Sequence, residues 1–393
     1  MLGHDRLVGA LVIVSFASLL YHLAFSPLLP LIAADLNVGV PLLGQVPAAS
    51  VLLAGTLGLV IGPLSDLYGH ACAIRIGGLS IAISAIGMAL SPGYLGLLLF
   101  GLVGAIGRAT VQPIAMALVG AQLSPESARH AVGWIQVSAS CSAILGIPML
   151  AILSANAGWR AGFLALGALA VFALIVSSRL PAAPPSTAAG RGLASMLTPY
   201  RPLLRHRPTV GVIGATLLSI AGFTAIFTYV AAFFRHRHDL STEQIGISYA
   251  ISGLGLIAGN LLAARRLSGV PLRPRLAVTL LARGLLFAAV VLAPVGPIAT
   301  VLLFTAVGFA DGLTFVVAPT LLSRESPTGR GTTMALNGTA HSFGTALGGA
   351  LGGLGLALGG YAYLGLLSMV FGTAAALLAS WSGRSRRPAS HGP

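Results

Sequence analysis

Residues 331–383 contain no aspartate, glutamate, lysine or arginine. Three further windows, 36–65, 76–107 and 131–159, are uncharged apart from Asp35 and Asp66 at or just beyond the edges of the first. Each exceeds the roughly 20 residues that a helix needs to cross a bilayer. Only 8% of the chain is charged and its mean hydropathy is +0.93, whereas a soluble domain carries about a quarter charged residues. Hydrocarbon is the solvent that suits such a surface, and the expected fold class is an all-α membrane protein.

Twelve transmembrane helices are expected, over 8–33, 42–64, 76–92, 94–119, 131–155, 161–178, 209–234, 244–264, 276–294, 296–321, 333–357 and 360–381, with the last pair divided at Gly359-Gly360. Membrane strands fit poorly, because the runs are too long and do not alternate polar with apolar residues. The first run does not read as a cleaved signal peptide: it is too long, lacks a small-x-small site and leads directly into further spans.

The net charge of +14 would point to nucleic acid in a soluble protein, but its distribution points to topology. All 22 basic residues are arginine, and 17 of them fall in segments on one side of the predicted spans. Arg160, Arg235 and Arg237 fall on the other side, while Arg108 and Arg283 lie within spans. By the positive-inside rule this places both termini in the cytoplasm. The partner expected is a lipid bilayer and not nucleic acid, and the lysine-free usage points to a bacterial inner membrane. Cys72 and Cys141 form neither a metal spacing nor a disulfide framework and read as small packing residues.

Residues 180–208, LPAAPPSTAAGRGLASMLTPYRPLLRHRP, cannot span a membrane and separate six predicted helices (1–179) from six (209–393). The halves echo each other at an offset near 200. VGAIGRATVQP (103–113) returns as VGFADGLTFVVAP (307–319), and SPESARHA (124–131) as SPTGRGTT (326–333). A parallel repeat of this kind, with a midplane site between its halves, is a common transporter plan.

Several motifs in order then identify a resemblance. GPLSDLYGH, from Gly62 through Asp66 and Gly69 to His70, resembles the loop between the second and third helices of the major facilitator superfamily, usually G-x-x-x-D-x-x-G-R-R/K. FSPLLPLIAADLNV (25–38), GIPMLAILSANAGWRAGF (146–163), FTYVAAFF (227–234), GLGLIAGNLL (253–262) and ALNGTAHSFGTALGGALGG (335–353) resemble further segments of its drug:proton antiporter branch. The resemblance implies two six-helix bundles, the major facilitator fold, around a cavity lined by helices 1, 4, 5, 7, 8, 10 and 11. It also implies a gating role for Gly62, Asp66 and Gly69, with Asp66 latching the inner gate. The alternative is that Asp66 is a solvated turn residue. His70 and Ala71 depart from the motif's basic pair and weaken the latch.

Ionisable groups inside spans are costly and are functional candidates. Setting tyrosine and cysteine aside, they are His22, Arg108, Arg283, Asp311 and His341. Arg108, with Gln112 one turn on, resembles the basic residue of the family's fourth helix and is a candidate for substrate binding or proton coupling. A structural ion pair is its alternative. Asp311 is the single acid within a span; in low dielectric its neutral form is favoured, which suits a proton carrier. Its alternative is a fixed salt bridge to Arg283 or Arg108. His22 stands beside Tyr21, with Ser26 one turn on, and titrates near neutral pH when unperturbed. Gln136 and Ser140, Asn337 and His341, and Phe227 complete the candidate cavity, unless the polar ones serve as interhelical contacts.

The resulting expectation is a monomeric exporter of small organic molecules, coupled to protons and working by alternating access. Two intramembrane arginines against one aspartate favour neutral, zwitterionic or anionic cargo. A proton-coupled symporter taking up a small carboxylate is the rival. No cofactor is expected, and a membrane enzyme is disfavoured because no metal cluster, nucleophile-base constellation or phosphate loop is present in the sequence.

Overall fold

Within hydrocarbon a chain must satisfy its own backbone hydrogen bonds, so each uncharged run folds as helix. The computed structural model describes residues 2–178, 180, 200–266, 271–325 and 330–381. The first half holds α1 (Leu2–Leu36), α2 (Gln45–Tyr68, preceded by the helical turn Val40–Leu43), α3 (His70–Leu90), α4 (Tyr94–Gln122), α5 and α6 (Trp159–Ser177). Helix α5 runs as Pro125–Cys141, a π turn at Ser142–Gly146 and Ile147–Ala157. The second half holds α7 (Arg207–Phe227 resumed as Val230–His238), α8 (Thr242–Arg266), α9 (Leu272–Leu292) and α10 (Pro297–Glu325). Arg330–Trp381 follows, broken at Gly359 and Gly360 (φ 68) into α11 (330–358) and α12 (361–381). Among the described residues ten helices are long and apolar enough to cross a membrane. The composite α5 and the break at Gly360 bring the crossings to the expected twelve. Of the expected linker 180–208, residues 181–199 lie outside the described residues; a short helix, Tyr200–Arg205, leads into α7.

The two halves repeat one packing plan. In the first, α1 packs on α5, α2 on α4 and α3 on α6; in the second, α7 packs on α11, α8 on α10 and α9 on α12. Small residues permit the approach. Gly344, Gly348 and Gly352, one turn apart on α11, face the carbonyls of Leu217, Ala221 and Ala225, one turn apart on α7; a Cβ on any of the three glycines would lie under 3.0 Å from an oxygen.

A pair of arginines repeats the plan at the end of the bundle that carries the termini. Arg75 near the start of α3 donates to the carbonyls of Ser178 and Leu180 at 2.9 Å and Ser177 at 3.3 Å, beyond the last turn of α6. Arg273 near the start of α9 donates to Ala379 O at the end of α12 (3.1 Å), to Pro208 O (3.3 Å) and to the Glu325 carboxylate on α10. Arg75, and Arg273 at Ala379 O, thus answer carbonyls that a helix C-terminus leaves without intrahelical partners.

The halves meet at the opposite end. Gly349 and Gly353 of α11 pack on Ala48 and on Gln45 and Pro41 beside α2, and Gly246 of α8 packs on Pro148 and Ala151 of α5. Between α1 and α7 the contact is polar. Helix α7 breaks at Thr228-Tyr229, and Ser26 Oγ takes up the carbonyls of Phe227 (2.6 Å) and Thr228 (3.1 Å) there. Because carbonyls only accept, the single Ser26 proton goes to them, and the Tyr249 hydroxyl of α8 donates to Ser26 Oγ at 2.7 Å.

Candidate functional site

The central residues are set by the middle turns of α1, α4, α10 and α11. On α4, Gly104 lets Tyr21 and Ser84 approach the helix backbone. The Tyr21 hydroxyl is hydrogen-bonded to Ser84 Oγ, which also donates to Phe100 O. Tyr21 is therefore committed to a tie between α1, α3 and α4, and presents its ring to the interior.

One turn further along α4 stands Arg108, part-buried, with no hydrogen bond or ion pair among the described residues. It shares a cavity of about 30 Å³ with Tyr21, His22, Phe25, Ser50 and Phe163, room for one or two waters. The charge of Arg108 acts on His22 of α1, which lines the same cavity, and at longer range on His341 of α11. His22 has one ring nitrogen toward the Ser18 carbonyl one turn back, while its Nε2 is buried without a partner. His341 lies within the influence of Arg283 as well, and its Nδ1 is 3.5 Å from Thr345 Oγ1. Asn337, one turn before it, has a buried Oδ1 without a partner among the described residues.

The second charged group lies inside the C-terminal bundle. Asp311 of α10 pairs with Arg283 of α9, and not with Arg108. Arg283 also bonds Ser219 of α7 and sits over the Phe223 ring at 5.3 Å. The arginine is 2% exposed and the aspartate 21%, so the carboxylate is the more accessible member of the pair. Phe227 stacks on Phe223 (4.8 Å between centroids) and meets Tyr249 edge-on at 5.4 Å, forming an aromatic wall with Phe287 and Phe304.

The remaining expected residues are placed as follows. Ser26 ties the two halves together and does not face open space. Gln112 and Ser140 are part-buried on α4 and α5. The side chains of Gln136 and Asp66 lie outside the described residues. Gly62 is within α2, and Gly69, at φ 92 and ψ 136, makes the turn from α2 into α3, a conformation that glycine adopts without strain. Sequence reading missed Ser84, Ser219, Tyr249 and, beyond Phe227, the aromatic wall, whose other members lie on several helices.

Comparison with known proteins gives a consistent picture. The model of the Major Facilitator Superfamily matches residues 11–340. An uncharacterized MFS-type transporter of Bacillus subtilis (strain 168), YceJ, is 26% identical over 334 residues, covering 84% of this chain and 83% of that one. A probable sugar efflux transporter of Pasteurella multocida (strain Pm70) is 27% identical over 262 residues, covering 64% and 62%. Among solved structures, the nucleoside transporter NupG superposes with a TM-score of 0.78 at 16% identity, covering 97% of this chain and all of that one. A bacterial homolog of the human lysosomal transporter Spinster does so with 0.78 at 17% identity, covering 99% of each.

Proposed function

The chain belongs to the Major Facilitator Superfamily, and from that premise we propose that it exports small organic molecules from a bacterial cytoplasm across the inner membrane, driven by protons. It is a transporter of small solutes and not an enzyme. The observation that carries the reading is the cavity shared by Arg108 and His22, ionisable groups inside the membrane beside the contact between two bundles that touch at one end. The relatives named as probable sugar efflux transporters favour export, and the drug:proton antiporter branch fits the quoted motifs.

In this reading the termini end faces the cytoplasm, as the arginine bias favours. The protein acts as a monomer whose two halves rock about the central site. The proton carrier is Asp311: a proton there dissolves its pair with Arg283, which is then free to reorganise α7 and α9. His22 and His341 adjust to the cargo. The latch of Asp66 stands at the turn made by Gly69.

Vesicles reconstituted with the purified protein provide the test. An imposed pH gradient is expected to drive solute movement against its concentration gradient, and cells expressing the chain to accumulate less of that solute. Higher accumulation in expressing cells would instead establish the rival, uptake by proton symport. That rival draws support from one observation, an arginine at the centre without a carboxylate partner.

A further inference from the structure

The eight acids of the chain are Asp5, Asp35, Asp66, Glu126, Asp239, Glu243, Asp311 and Glu325. Asp35 pairs with Arg160, Glu325 with Arg273 and Asp311 with Arg283. Asp5, Asp66, Glu126, Asp239 and Glu243 stand at or beside helix ends by their places in the chain. No carboxylate is therefore left at mid-membrane for Arg108. A single positive charge is held there in low dielectric, where an unpaired charge is costly.

The neighbouring polar atoms define what else a ligand must offer. A backbone carbonyl accepts only, so the His22 nitrogen bonded to Ser18 carries the proton, and the buried, unpartnered Nε2 of the neutral ring is an acceptor. Arg108 and His22, on α4 and α1, thus present one cation and one acceptor to a common cavity.

Resting on the export reading above, we infer that the cargo is a hydroxylated organic anion, its acidic group held by Arg108 and a hydroxyl proton by His22 Nε2. A neutral polyol leaves the arginine unpaired, a cation is repelled by it, and an acid without hydroxyls leaves the acceptor unsatisfied. The anion completes the charge balance of the membrane interior, with one carboxylate for each of Arg108 and Arg283.

The test uses the purified full chain as wild type, Arg108→Gln, Arg108→Lys and His22→Phe, followed by thermal unfolding and equilibrium binding at constant ionic strength. The probes are lactate, gluconate and glucuronate, set against glucose, glucosamine and benzoate. At least one hydroxylated acid is expected to raise the melting temperature of the wild type. Arg108→Gln should weaken its binding roughly tenfold to a hundredfold, the range for losing a charge-assisted hydrogen bond, with Arg108→Lys between the two. His22→Phe should narrow the preference for gluconate over benzoate. Without ligand, Arg108→Gln should melt no lower than the wild type, because no ion pair is lost.

Stabilisation by glucose or glucosamine equal to that by gluconate would overturn the inference. So would a wild type indifferent to all three hydroxylated acids, or acid binding unchanged in Arg108→Gln. The export reading fails separately. Arg108-dependent acid binding without movement across reconstituted vesicles would remove export and leave the anion site, whereas movement of glucose independent of Arg108 would do the reverse.

Discussion

Asp311 and Arg283 hold each other inside the C-terminal bundle, so a change at either one strands its partner. Removing one member of a buried pair typically costs about 3–5 kcal/mol. Asp311→Asn is therefore expected to melt well below the wild type, and Asp311→Asn with Arg283→Gln to recover much of the loss in the same thermal scan. In the recovered double variant, transport driven by a pH gradient should be absent while exchange of cargo at equal pH persists; gradient-driven transport at the wild-type rate would move the proton to His22 or His341. The choice between Arg283 and Arg108 as partner was not legible in the sequence, because it depends on how α9 and α10 are rotated against each other. Ser26 shows a similar gap. Its hydroxyl was expected in the cavity, yet the break in α7 frees two carbonyls that it answers. Ser26→Ala removes that link, worth about 0.5–1.5 kcal/mol. Modification of a cysteine placed by Gln45→Cys, by an impermeant reagent from the opposite end, should speed up roughly two- to tenfold.

Helices were the most legible level, because a bilayer leaves the backbone few alternatives. The uncharged windows located the spans, and Gly359-Gly360 marked a division that the backbone makes at φ 68. Two details escaped pattern reading: the π turn at Ser142–Gly146 and the interruption of α7 at Thr228-Tyr229. The π turn ends on Gly146 and precedes Pro148, which has no N–H for the helical ladder, whereas the break in α7 has no proline or glycine and lies where the halves meet, so there tertiary contact outweighs local preference. The glycine row of α11 has a definite role in holding α7 close. Gly348→Val introduces side-chain atoms against the Ala221 carbonyl and must push the helices apart, with a cost of about 1–3 kcal/mol for overpacking. A lowered melting temperature is expected for Gly348→Val, while Gly338→Ala, with open space at its Cβ, should be neutral in the same assay.

At the scale of the whole molecule, the offset of about 200 residues in the sequence has its counterpart in the paired arginines: Arg75 fastens α3 to α6 as Arg273 fastens α9 to α12. Each bundle is thus cross-tied at the termini end, with the contacts between bundles left to the other end. The proposed orientation is open to direct measurement. After Cys72→Ser and Cys141→Ser, Asp239→Cys in intact cells should react with an impermeant thiol reagent and Arg205→Cys should not; the reverse pattern would invert the molecule. The solitary charge of Arg108 has a further consequence, which is electrical. A site that is positive when empty and neutral when loaded makes only the empty protein responsive to voltage, at up to about 2.3 kcal/mol per 100 mV for a full charge crossing the field. In the proposed orientation, and with the anion inferred above exported as cargo, an interior-negative membrane draws the vacant carrier toward its cytoplasm-facing state, so the potential resets the protein to the side where cargo is collected and leaves the loaded stroke untouched.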